Sequence, residues 1–330
     1  MRPNRPAART AAALIAALGL TTVAACGSSS TGSSGSATTA PAAAALAGVT
    51  ATGAVDLQTG PKVVLGKTPI SSKTVEHKVL TPGTGKAATK ADTVSLRARI
   101  YNGTSGKLLD DGYAAGRKAE GYRLGRADLI AGFTEGLVGA TKGGRIAFTI
   151  PPDKGFGSAG NQQLGVKGTD TIVVVADIAD VHTPLARIDG TQTAAPAGLP
   201  TVEFKNGPTK EPTVTVPKSA APTTTRQATL IQGTGATVQQ GQTISAQYHG
   251  VLWKDGSVFD SSWKRGASAD FPIGVGGVIP GWDKTLVGKK VGSRVLLVIP
   301  PKDGYGTAGS PPKISGKDTL VFVVDILDAY

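Results

Sequence analysis

Six aromatic residues, Tyr248, Phe259, Phe271, Trp282, Tyr305 and Phe322, stand beside glycine-containing turns in the C-terminal third of the chain. There they can line a surface as readily as fill a core. Tyr248 and Tyr305 add phenolic hydroxyls and Asp260 adds a carboxylate. Residues of this kind act by shape, desolvation and a few placed hydrogen bonds. The reagents of bond-breaking enzymes do not accompany them. His77, His182 and His249 are isolated from one another and Cys26 stands near the N-terminus, so no cluster offers metal-ligand spacing. A nucleophilic triad would need a His in register with its Ser or Cys, and the two halves of the chain share no His position. The "GVGG" run at 274–277 does not open a helix as a phosphate loop must, and reads as a turn. Hydrolytic, redox and phosphoryl chemistry are therefore disfavoured, and nothing calls for a metal or cofactor. By residue type alone the aromatics serve equally well as packed core.

The elements that must position these residues are written twice. "TVSLRARIYNGTSGKLLDDGY" at 93–113 aligns with "TISAQYHGVLWKDGSVFDSSW" at 243–263, and "LIAGFTEGLVGATKGGRIAFTIPPDKGFGSAG" at 129–160 aligns with "VIPGWDKTLVGKKVGSRVLLVIPPKDGYGTAG" at 278–309. A period this long means tandem globular domains, since solenoid units run roughly 20–50 residues. Each copy is mostly β. "TISAQYHGVL" alternates, and "SRVLLVIP" and "DTLVFVVDIL" are rich in Val, Leu and Ile. Helix signal is confined to "IPGWDKTLVG", where Trp282 and Leu286 share one face and Gly288 can end the helix. The expected class is α+β, each copy an antiparallel sheet of about five strands covering one short helix.

At 330 residues the chain has room for both copies. Its formal charge of +12 is scattered, with no run of five or six like charges, so a nucleic-acid partner is disfavoured. The N-terminus reads as an export signal: Arg2, Arg5 and Arg9 precede the apolar "AAALIAALGLTTVAA", which is too short to span a bilayer comfortably. "VAAC" resembles the lipobox of bacterial lipoproteins and makes Cys26 the expected lipidation site; ordinary secretory cleavage after Ala25 is the alternative. The expected layout is a signal over 1–25, a flexible tether over 26–49, a first domain over 50–183, a Pro/Thr/Ala-rich linker with a possible short strand over 184–224, and a second domain over 225–330. The expected location is the outer face of the cytoplasmic membrane.

The second copy strongly resembles the FKBP-type peptidyl-prolyl isomerase family through "GQTISAQYHGVLWKDGSVFDSSW", "VIPGWDKTLVGKKVGSRVLLVIPPKDGYG" and "DTLVFVVDIL", in fixed order over most of 226–330. The resemblance implies a half-open sheet wrapped on a short helix with a shallow apolar pocket between them. Carried over by position, Tyr248, Phe259, Asp260, Phe271, Val278, Ile279, Trp282, Tyr305, Ile314 and Phe322 would line that pocket. Trp282 would be its floor, the Ile279 N–H and the Tyr305 hydroxyl would donate to substrate carbonyls, and Asp260 would orient. The resemblance also implies proline-containing segments as substrates, which the export signal makes those of exported proteins, and a macrolide such as tacrolimus as ligand; no cofactor is expected, and the chain is expected to be a monomer.

In the first copy the matching positions are Ala98, Leu109, Asp110, Tyr122, Leu129, Ile130, Phe133, Phe156, Val166 and Val174. Apolar strands and glycine turns persist, but Tyr305 has become Phe156 and four more aromatics have shrunk, which marks a degenerate, weak or inactive copy. A non-catalytic Pro-peptide-binding chaperone or scaffold is the alternative for the whole chain. If Cys26 carries the anchor, Cys26→Ser releases the protein from membranes or leaves its precursor unprocessed, as fractionation and the mass of the mature N-terminus would show. Normal processing with undiminished membrane attachment excludes lipidation at this residue.

Overall fold

The computed structural model describes residues 43–207 and 209–330. Cys26, the export segment and the tether as far as residue 42 lie outside the described residues. Two compact units divide the chain between Thr183 and Pro184. The first contains β1 (Thr50–Thr52), β2 (Lys62–Val64), β3 (His77–Thr81), β4 (Thr93–Asn102), β5 (Leu108–Asp111), β6 (Glu120–Arg123), α1 (Ala131–Leu137), β7 (Arg145–Ile150) and β8 (Ile172–His182). The second contains β9 (Thr201–Glu203), β10 (Thr213–Thr215), β11 (Arg226–Ile231), β12 (Thr243–Leu252), β13 (Val258–Ser261), α2 (Ser262–Arg265), β14 (Ala269–Pro272), α3 (Pro280–Leu286), β15 (Arg294–Ile299) and β16 (Leu320–Ala329).

The main sheets are antiparallel and follow one plan, β3-β7-β8-β4-β5 and β11-β15-β16-β12-β13. A sixth short strand, β6 or β14, pairs with the first half of β4 or β12, while β5 or β13 pairs with the second half. The long strand thus shares one edge between two short ones, and the expected five strands become six. The expected helix is α3, with Pro280 at its first turn and Trp282 and Leu286 buried on one face. It ends at an extended Val287, followed by Gly288 at φ +83°.

The central strands decide how much else each unit needs. A sheet with one wet face alternates buried and exposed residues, whereas β16 is buried at all ten of its positions. Val321 and Val323 pack on one face, and Phe322, Val324 and Ile326 on the other. One face takes the helix. The other is covered by the chain that precedes each repeat.

In the second unit that cover is the segment which composition marks as a linker. It carries the β9/β10 hairpin, and Leu199 and Val202 are buried against Val251, Trp253, Leu296, Val298, Val321 and Val323. The Trp253 indole N–H donates to the Ser219 carbonyl at 3.1 Å. In the first unit Leu46, Val49 and Ile70 cover Ala147, Val173 and Val175. Leu46 belongs to a short 3-10 turn, and Lys78 Nζ holds the carbonyls of Leu46, Ala47 and Val49 at 2.8–3.0 Å. The tether read as running to residue 49 is therefore packed structure from Ala43 onward. A few spaced apolar residues suffice in both segments because the sheet supplies the rest of the apolar surface.

Each cover is pinned by a buried ion pair at the same place in the repeat. Arg145 pairs with Asp177 across β7 and β8, and Arg294 with Asp325 across β15 and β16, each bidentate. Arg145 also donates to the carbonyls of Gly53 and Ala54 at 2.9 and 2.8 Å. Arg294 reaches Gln192 Oε1 at 3.1 Å and lies 3.6 Å from the centre of the Phe204 ring. A polypeptide of residues 225–330 would uncover several Val and Leu side chains, each worth about 1.5–3 kcal/mol when buried. Compared with residues 184–330 in urea unfolding, it is expected to lose more than about 3 kcal/mol or to aggregate. Equal stability of the two would mean the segment contributes no cover.

Candidate functional site

Trp282 sits at the centre of an aromatic cluster because α3 aims it down onto the sheet. Its ring lies 4.9 Å from Phe271, 5.3 Å from Phe322 and 5.7 Å from Tyr248, all edge to face. Phe259 extends the cluster at 5.3 Å from Phe322. These rings do not close over one another. They bound a cavity of about 720 Å³ between the helix and the half-open sheet, well within the size range of small-molecule sites.

All ten residues carried over from the sequence line this cavity: Tyr248, Phe259, Asp260, Phe271, Val278, Ile279, Trp282, Tyr305, Ile314 and Phe322. Gly276, Gly277, Ser310, Pro311, Pro312 and Lys313 line it too, and the sequence reading did not place them at the site. Two signals could have found them. The turn at 274–277 leads directly into Val278 and Ile279, and the loop after Gly309 is one residue shorter than its counterpart after Gly160.

The polar groups are few and held in place. Asp283, one residue past the floor, accepts the backbone N–H groups of Gly274 and Gly276 at 2.7 and 2.6 Å, which fixes the glycine-rich wall. The Ile279 N–H that follows this wall has no backbone partner among the described residues. Tyr305 stands at the rim, 42% exposed, and desolvation, then the nearby Asp260 charge, raises its phenol above the ordinary value, so it stays a proton donor at neutral pH. The Trp282 indole N–H is buried without an acceptor among the described residues.

Asp260 anchors one wall. The Tyr248 hydroxyl donates to its carboxylate at 2.5 Å, and Arg265 donates both to that carboxylate and, at 2.7 Å, to the Tyr248 oxygen. Burial works against ionisation of Asp260, but the hydrogen bonds from Tyr248 and Arg265 outweigh it and hold the carboxyl below its ordinary value. It is ionised at neutral pH and carries no proton to transfer. Lys313 Nζ donates to the Phe259 carbonyl at 2.8 Å and ties the shorter loop to the opposite wall.

The first unit places the corresponding residues in a packed core. Ala98, Tyr122, Ile130, Phe133, Val166 and Val174 are buried, and Leu109, Leu129 and Phe156 pack against them. The cleft beside Ala98, Asp110, Tyr122 and Phe133 measures only about 20 Å³. Arg117 closes its mouth by pairing with Asp110 at 2.7 Å and Glu120 at 2.8 Å, and Tyr122 donates to Glu120 at 2.7 Å.

Smaller side chains give less space here because one large ring has changed strands. Phe148 faces Val174 across β7 and β8, where Leu297 faces Phe322 across β15 and β16. In the first unit the ring hangs beneath the helix, where Gly136 makes room: a Cβ there would meet Phe148 at 2.0 Å. In the second unit the ring stands beside Gly250, where a Cβ would lie 2.5 Å from Phe259 and 3.1 Å from Phe322. The repeat puts Ile100 at the position of Gly250. Gly250 is thus a determinant of the cavity that the list of aromatics missed, although the aligned repeat displays the exchange.

Comparisons with known proteins agree with this geometry. A family profile described as FKBP-type peptidyl-prolyl cis-trans isomerase matches residues 84–174 and 235–327, one segment in each unit and more than half of the chain together. A probable FK506-binding protein of Corynebacterium glutamicum is 39% identical over 120 residues, 36% of this chain and 99% of that protein. An FK506-binding protein of Streptomyces anulatus is 40% identical over 119 residues, 36% of this chain and 96% of that one. The human peptidyl-prolyl cis-trans isomerase FKBP9 is 26% identical over 262 residues, 79% of this chain and 39% of its own length. With a matched segment on each of two sheets of the same plan, and an aromatic cavity against the helix of the second, this chain belongs to the FKBP-type peptidyl-prolyl cis-trans isomerase family as two tandem domains.

Proposed function

We propose that the second unit carries the isomerase activity, that the first is a weak or inactive copy, and that the protein acts on proline-containing segments of exported proteins while anchored through Cys26. The observation that carries the division of labour is the contrast between a cavity of about 720 Å³ in one copy and about 20 Å³ in the other.

The geometry suits rotation about an X-Pro bond, which breaks no σ bond and needs no proton transfer. Its obstacle is amide resonance, a barrier of roughly 18–20 kcal/mol. A planar amide has a large dipole that water solvates well, whereas the twisted amide has lost conjugation and is less polar. A dry aromatic cavity therefore favours the twisted form relative to the planar one, which is preferential binding of the transition state. The Ile279 N–H and the Tyr305 hydroxyl supply donors to substrate carbonyls, and each 1.4 kcal/mol of preferential stabilisation gives about tenfold in rate. The ionised Asp260 keeps Tyr248 and Arg265 in the wall and takes no part in proton transfer. The same cavity would accept a macrolide such as tacrolimus.

Two experiments test this reading. Residues 184–330 should isomerise X-Pro peptides and be inhibited by tacrolimus, while residues 43–183, folded by circular dichroism, should show less than about one tenth of that catalytic efficiency, the factor that 1.4 kcal/mol commands. Equal efficiency of the two folded units would overturn the division of labour. In the full chain, Gly250→Ala forces the Phe259 ring aside and should lower kcat/KM by about tenfold, with a smaller effect on the melting temperature. Unchanged kcat/KM would show that this wall does not shape the transition state.

A further inference from the structure

The matched family segments begin at 84 and 235, so the covers over the outer faces lie outside them. In the second unit this cover also reaches toward the cavity. The Phe204 ring lies 5.8 Å from Trp263, edge to face, and the Arg294 guanidinium lies 3.6 Å from the centre of the same ring. Glu211 Oε1 lies 2.9 Å from His249 Nδ1, off the axis of a hydrogen bond, and 3.7 Å from Lys264 Nζ. Trp263 and Lys264 are the two central residues of α2.

The ends of α2 hold the cavity wall. Ser262 Oγ accepts the Tyr248 N–H at 2.7 Å, and Arg265 donates to the Tyr248 oxygen and the Asp260 carboxylate. A four-residue helix has no stability of its own, so its placement is set by what grips it. Here the cover grips the middle and the cavity wall takes the ends. The first unit repeats the grip without the consequence. Gly60 of its cover packs on Tyr113, at the position of Trp263, so closely that a Cβ would lie 2.5 Å from the ring, yet no helix forms there and no large cavity lies beyond.

We propose that residues 184–224 are a positioning strap for the active cavity, with Phe204 and Glu211 setting α2 so that Arg265 holds Tyr248 and Asp260 in the wall. This rests on the reading that the second unit's cavity is the active site. The test uses the full chain, a Leu-Pro peptide as substrate, and Phe204→Leu and Glu211→Gln alone and combined with Arg265→Gln. Each strap variant should keep a cooperative melt and lose about threefold to tenfold in kcat/KM, the scale of one polar contact. In the Arg265→Gln background the further loss should fall below about twofold, because the strap acts through that side chain. Folded strap variants with full kcat/KM, or losses that multiply fully in the Arg265→Gln background, overturn the proposal and leave the segment as cover only. Glu211→Gln preserves shape and keeps the test decisive if Phe204→Leu does not fold. Trp282→Leu in the same chain separates the two readings: full activity there overturns the site assignment and the strap with it, whereas loss of activity there beside unaffected strap variants overturns the strap alone.

Discussion

Burial of the central strands on both faces is the constraint from which the rest of each unit follows. An antiparallel sheet can leave one face to water, and then its strands alternate. β16 does not alternate, and from Leu320 to Val324 its successive residues enter two separate cores. One core is closed by the helix and lies beside the cavity; the other is closed by the chain that leads into the repeat. The two buried Arg–Asp pairs make sense in this frame. A charge pair on a buried face is costly unless further hydrogen bonds offset its desolvation, and Arg145 and Arg294 each direct donors beyond the Asp pair to the covers. The guanidinium thereby turns a desolvation problem into the point that registers the cover on the sheet.

The cavity is best understood as a place where core packing has been withheld. Both copies have the same strand order, the same helix position and the same buried pair. Besides the smaller side chains of the first copy, they differ in where one large ring hangs. Phe148 with Gly136 puts it under the first helix, and Phe322 with Gly250 puts it at the open side of the second sheet. Interiors pack near crystalline density, so moving one ring empties one site and fills another. Around the space so left, the cluster needs few polar groups, and two of its walls are fixed from behind: the glycine wall by Asp283, and Tyr248 by Asp260 and Arg265. Rigid placement of donors and apolar walls is what favouring a twisted, less polar amide requires.

The sequence by itself determined the duplication, the β-rich class and the one amphipathic helix of each repeat, whereas the ten side chains assigned to the cavity were legible only through the resemblance of their motifs to a known family. These are local or aligned properties: a strand's apolar run, a helix face shared by Trp282 and Leu286, and a motif order in which each aromatic keeps its station. Tertiary structure decided what depends on two distant segments meeting. Composition marked 184–224 as linker because it is rich in Pro and Thr, yet Leu199 and Val202, with partly buried Phe204, Val214 and Val216, dock it once the sheet offers Val321 and Val323. Gly250 shows in the aligned repeat only as an exchange with Ile100; its meaning appears when Phe259 and Phe322 arrive from other strands and find no side chain between them. The partial closure of the first copy likewise lay in the pairing of Phe148 with Gly136, residues on different elements whose fit is a matter of volume in three dimensions. Patterns along a chain specify which surfaces must be buried, whereas which atoms fill the space between those surfaces is settled only where they meet.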